Sequence, residues 1–216
     1  MKRRTLDIIF SIGGLGIACL LIALGVVMTS NANFSKNYVH NQLTQEKVSF
    51  PTLAKMTTEE KAEPCVVANA GQALATGKQA ECYANNYIGL HVKSIANGAT
   101  YAELGTVQSG LKAQIAAADP KAPATAALNT QLIAVTGQRE SLFKGETLRG
   151  LLLTSYGFSV MGTKAGQAAN VAYAGAVLMG LLGLAGVAHA FSTNSSEAFA
   201  PVEKNRRTRT PQPVHV

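Results

Sequence analysis

Charge is what this sequence has least of. Only 14% of its 216 residues are Asp, Glu, Lys or Arg, against about a quarter in an ordinary soluble domain. The deficit falls in two blocks. Ile8 to Met28 has no charged residue, and neither has Ala165 to Ala188. At about 1.5 Å of rise per residue, each block matches the ~30 Å hydrocarbon thickness of a bilayer. Neither block has the polar face that a soluble helix of that length needs. The first is also much longer than the roughly 7–15 apolar residues of a cleavable signal. Two uncleaved transmembrane helices follow, over 6–28 and 165–191.

The ingredients of catalysis are also missing. Gly13-Gly14-Leu15-Gly16 lies in an apolar span and lacks the strand context and third glycine of a dinucleotide loop. Gly157-Phe158-Ser159-Val160-Met161-Gly162 misses the hydrolase elbow by one position. The four histidines, His40, His91, His189 and His215, are dispersed with none paired at helical spacing. Asp7 is the one acid at a membrane edge, and two spans alone cannot enclose a transport pathway. No nucleophile, base and stabiliser come together. The expectation is a protein that is not an enzyme and holds no metal or cofactor.

What is present carries orientation. Lys2, Arg3 and Arg4 precede the first block, and Lys204, Arg206, Arg207 and Arg209 follow the second. The stretch 29–164 mixes twelve basic with nine acidic residues. The positive-inside rule then puts both ends in the cytoplasm and 29–164 outside. Residues 1–5 form a basic leader, and 192–216 form a basic, disordered tail. The +7 net charge is an orientation signal, and no basic stripe interleaved with aromatics points to nucleic acid.

Three cysteines are present. Cys19 lies inside the first span. Cys65 and Cys82 lie in the outer stretch, where thiols oxidise, and they imply a disulfide. Two ideal antiparallel helices turning at Gly77 would separate these cysteines by about two turns. The bridge therefore needs an irregular start to the first stretch or a different turn. His91 falls on the outer helix near this pair, as a surface histidine.

The outer stretch reads as helical. Phe34, Tyr38 and Leu43 extend the first helix past the membrane, and Val48-Ser49-Phe50-Pro51 is extended. Thr57 with Glu60, and Thr100 with Glu103, form capping boxes. Leu104, Val107, Leu111 and Ile115 give one apolar face, and Leu128, Leu132, Val135 and Leu142 another, across the loop Asp119 to Pro123. That pattern predicts an αα-hairpin with a coiled-coil-like seam. Arg139 falls on the seam and must snorkel or find a carboxylate. Leu148 to Met161, too short to span, reads as an amphipathic interfacial segment feeding the second span. Within that span Ala168, Ala172, Ala176 and Gly180 recur every fourth residue, a ridge that lets another helix approach closely, with Gly14 and Ala18 a shorter version. The fold class is an all-α membrane protein: two transmembrane helices and a helical extracytoplasmic domain.

Four strings carry a family likeness: Phe34 to Val39; Pro64-Cys65 with Val67 to Gly71; Thr76 to Asn85; and Glu146 to Phe158. Over about residues 1 to 191 the chain resembles a group of actinobacterial membrane proteins. That group includes the accessory subunit of the respiratory supercomplex, in which a bc-type cytochrome complex associates with an aa3-type oxidase. The resemblance implies a subunit without redox cofactors whose partners are the cytochrome bc complex, the cytochrome oxidase and the lipid bilayer. Some relatives are described as ring-opening dioxygenases, but the histidines and carboxylates such iron enzymes need are not grouped here. The alternative is a free-standing envelope scaffold or sensor with an outer helical domain.

Overall fold

The structure, a computed structural model, describes residues 3–192. The tail expected over 192–216, including Lys204, Arg206, Arg207, Arg209 and His215, lies outside the described residues save for Ser192, as do Met1 and Lys2. The described residues are all-helical in class, 85% of them in helices, and form no strand. Helix α1 runs Arg3–Gln45, α2 Thr58–Lys61, α3 Pro64–Ala68, α4 Gly77–Cys82, α5 Gly89–Ile95, α6 Tyr101–Ala117 and α7 Pro123–Ser192. A 3-10 turn covers Leu53–Lys55, and a π-helix over Tyr83–Ile88 joins α4 to α5. Helices α1 and α7 are both long and apolar enough to cross a membrane.

The chain divides into two compact units. Among the described residues, the first joins 3–27 to 168–192. Its buried residues are almost all small: Ser11 and Ala18 on α1, and Ala169, Ala172, Ala176 and Ala190 on α7, with Gly25 and Gly183 also buried. Positions 11, 18 and 25 are seven apart, as are 169, 176, 183 and 190. A seven-residue repeat is the period at which two long helices stay in contact by supercoiling. Side chains this small bring the backbones together. A Cβ on Gly14 would lie 3.7 Å from the Met179 carbonyl and 3.8 Å from the Gly183 Cα. Large apolar side chains point outward instead, Phe10 at 77% exposed and Val171 at 74% among them.

The second unit, residues 28–167, has a conventional core. Val39 and Leu43 of α1, Phe50, Met56, Val66, Leu74, Tyr83 and Leu152 of α7 are buried together. A smaller cluster joins Val92, Leu104 and Leu142. After α1 the chain reverses through Lys47 at φ 53. Phe50 N–H then donates to Gln72 O at 2.9 Å, and Leu74 N–H to Val48 O at 2.9 Å. Both expected capping boxes are formed, Thr57 with Glu60 and Thr100 with Glu103. Asn97 and Gly98 both take positive φ where α5 ends, and Gly98 N–H closes the helix on Lys93 O at 2.8 Å.

Leu148 to Met161, expected to feed the second span, lies in the interior of α7, which runs unbroken for 70 residues. No proline follows Pro123 until after Ser192, so nothing removes a backbone donor, and Leu152 is buried in the core of the second unit. One expectation is corrected. Arg139 finds no carboxylate. Its guanidinium bonds the Gln108 amide oxygen and the Tyr101 carbonyl, and it stacks 4.1 Å over the Tyr101 ring, which suits a planar cation.

Candidate functional site

The densest polar construction lies in the second unit, around the bridge between Cys65 and Cys82. Pro64 occupies the first turn of α3, where its missing N–H costs nothing, and Cys65 follows it. The helix lasts only five residues. Asn69 ends it by turning its side-chain Nδ2 back to donate to Cys65 O at 2.8 Å. An irregular stretch then leads to Thr76, which caps α4 in a box with Gln79. Cys82 closes α4, and the two cysteines are joined with their Cα atoms 6.0 Å apart. The short α3 and the irregular run after it remove the two-turn offset that ideal helices would impose.

Gln79 is the hub. Its Oε1 accepts from the backbone N–H of Ala75 at 2.9 Å and of Thr76 at 3.1 Å. Its Nε2 donates to Asn69 Oδ1 at 3.2 Å and Gln72 Oε1 at 3.1 Å. Directly after Cys82 the π-helix widens the backbone. Asn86 donates to Glu63 Oε2 at 2.6 Å, and Arg149 Nε from α7 donates to Ala84 O at 3.1 Å. π-Helices are rare and concentrate at functional sites. An open hollow of about 530 Å³ lies here, lined by both cysteines, amides and the Lys78–Glu81 pair.

Behind the hollow stands a column of rings. Phe50 meets Tyr83 edge-on at 5.1 Å, Tyr83 meets Tyr87 at 4.6 Å, and Tyr87 meets His91 at 4.8 Å. His91 Nε2 lies 2.8 Å from Glu60 Oε1. Glu60 is buried, and its other oxygen accepts the Thr57 N–H at 2.8 Å. Burial, and then the nearby Tyr87 and Glu60, push the Tyr83 phenol up to about 12. It stays protonated at neutral pH and is no base. Among the described residues, no three His, Cys, Asp or Glu side chains gather as a metal site would require. The arrangement presents hydrogen-bonding amides on a stapled frame.

The chain matches no known protein family, no curated protein and no solved structure. Its residues must therefore speak for themselves.

The expected ridge of small residues on α7 divides. Ala172 and Ala176 are buried, whereas Ala168 is exposed and Gly180 half-buried. A Cβ on Gly180 would meet nothing within 4 Å. The reason is rotation: a step of four residues overshoots the 3.6-residue turn by about 40°. Three such steps leave the contact face that a seven-residue repeat follows. Ala169 and Gly183 occupy the seam that a strict four-residue spacing would have given to Ala168 and Gly180. Cys19 is exposed on the outer face of α1. His40 Nδ1 lies 3.1 Å from Ala75 O, and His189 Nε2 lies 4.0 Å from Asp7 Oδ2. Sequence reasoning missed Gln79 as hub, the buried Glu60 and the π-helix. Only the Thr76-to-Gln79 capping spacing offered a signal for the first.

Proposed function

We propose that this chain is a non-catalytic accessory subunit of an actinobacterial respiratory supercomplex. In this reading α1 and α7 hold it in the bilayer with both ends cytoplasmic. Residues 29–164 form a helical extracytoplasmic domain, with α6 and the start of α7 as its αα-hairpin. The observation that carries the anchoring is the division of faces on the two long helices. Small residues are used up between them, and exposed Phe10, Leu20, Val171 and Leu181 face outward, as lipid-facing residues do. The partner is taken from the resemblance of the four strings Phe34 to Val39, Pro64-Cys65 with Val67 to Gly71, Thr76 to Asn85 and Glu146 to Phe158 to the supercomplex-associated group. Since Ala172 and Ala176 are occupied within the hairpin, docking on the cytochromes falls to the outward apolar faces and the outer domain. There α7 exposes Ile133 and Phe143, the type of surface that marks contact sites.

Purification of the native protein in mild detergent tests this. Haem spectra of the bc-type complex and the oxidase should co-purify, and all should co-migrate in native gels. Migration apart from the cytochromes would remove the supercomplex. A reporter fused at the C-terminus should behave as cytoplasmic; external activity would remove the topology.

A second reading, the envelope scaffold, is favoured by one feature: the amide-lined hollow beside the disulfide, whose donors and acceptors suit a polar envelope component.

A further inference from the structure

The outer unit contains a second concavity that the proposed role does not use. It is a slot of about 390 Å³, within the ~300–1,000 Å³ range of small-molecule sites. Val39 and Leu43 of α1 form one wall, Leu151 and Leu152 of α7 the other, and Val48 and Leu74 the floor. Thr154 and Ser155 also line it, but both hydroxyls donate to α7's own carbonyls, Gly150 O at 2.9 Å and Leu151 O at 3.2 Å. Their donors are thus spent. Gln42 and Glu46 of α1 complete the polar part of the lining, and the rest is aliphatic or aromatic. Tyr38 and Phe158, 5.9 Å apart, stand at one end.

We infer that this slot binds one acyl chain of a membrane phospholipid. Three observations select that occupant. A partner helix, about 10–12 Å across with its side chains, is too wide for a slot of this volume between two adjacent helices. The lining is mainly apolar: Gln42 and Glu46 lie together on the α1 side, and the facing α7 wall offers no free hydroxyl donor to pair with them around a polar ligand. Both walls belong to α1 and α7, the two helices long and apolar enough to cross a membrane, so a lipid supply adjoins the same helices. Exposed Phe34, stacked on Tyr38 at 5.8 Å, and exposed Met161 extend the apolar surface on those helices. A chain that leaves the bilayer for the slot exchanges one apolar surrounding for another. The slot walls leave water in the process, so the exchange is favourable.

The inference rests on the membrane reading of α1 and α7 and is independent of the supercomplex. The full-length protein is placed in phosphatidylcholine nanodiscs containing phosphatidylcholine with a diazirine near the end of one acyl chain. After irradiation, adducts are mapped by peptide. Adducts within 8–28 and 165–188 report the membrane segments. Adducts within 38–48 and 148–158 report the slot. Two variants fill the slot from opposite walls, Leu151→Trp and Gln42→Trp. Each should lower slot adducts at least five-fold, with span adducts and the Cys65–Cys82 bridge unchanged. Adducts confined to the spans, or slot adducts undiminished in both variants, would overturn the lipid site. Absence of span adducts would instead overturn the membrane reading beneath it.

Discussion

The two units solve the same problem, holding helices together, in opposite ways. The first unit, proposed to be the membrane unit, buries mainly Ser, Ala and Gly, and its two helices meet almost backbone to backbone. The second, proposed to be the outer unit, buries Phe50, Met56, Leu74, Tyr83 and Leu152, and adds a disulfide, three capping boxes and a π-helix. In lipid, burying a large apolar side chain gains nothing over leaving it in the acyl chains. Close contact is what remains. In water, large side chains drive collapse, and the disulfide adds a covalent constraint to that core. The difference predicts that each unit fails by its own route.

The largest effect should come from the bridge. Replacing Cys65 and Cys82 with Ser opens a loop whose closure is worth about 3 kcal/mol in the chain-entropy view. The loss should fall on the outer unit alone. Hydrogen exchange should rise across 48–95, while amides of 8–27 and 168–188 keep their protection. Equal loss of protection in both segments would mean that the two units do not fold separately.

Next comes the seam. A Cβ on Gly183 would lie 2.9 Å from Leu15 Cγ and 3.3 Å from the Leu15 backbone nitrogen. Gly183→Leu should therefore part the helices, at about 1–3 kcal/mol for overpacking. Gly13→Leu, where a Cβ meets nothing within 4 Å, is the matched control. Thermal unfolding in detergent should separate the two variants. If Gly13→Leu proved as damaging as Gly183→Leu, the contact face would lie elsewhere.

How much of this the residues announce differs between the units for a physical reason. Composition alone marks the two apolar spans, because lipid demands runs without charge. Capping boxes are legible because Thr57 and Glu60, or Thr100 and Glu103, act within one turn. The seam register is not, since Ala and Gly are plentiful all round α7, and only the supercoil chooses Ala169 over Ala168. The continuity of α7 escapes notice because Leu148 to Met161 changes its packing surroundings without changing its helix. The π-helix leaves no local mark, and the side chain that bonds its Ala84 carbonyl, Arg149, lies 65 positions away.

The smallest effect concerns the aromatic column and appears only in alkali. Tyr83 is buried against Phe50 and Tyr87, and its phenol is raised from 10.0 to about 12. The unfolded chain, with an ordinary phenol, loses that proton first as pH rises. Folding thus favours the protonated form. Its contribution is fully present below pH 10 and is lost as pH climbs from 10 through about 12. Tyr83→Phe removes the titrating group and keeps the ring, so stability at pH 7 should change little. Between pH 10 and 12, the variant's unfolding midpoint should fall less steeply than that of the parent. The membrane unit should be indifferent to this exchange, because Tyr83 belongs wholly to the outer core. Chemical denaturation at pH 7, 10 and 11.5, followed by circular dichroism in the same detergent, measures the slope. Parallel curves for parent and variant would show that Tyr83 ionises no later in the folded protein than in the unfolded chain.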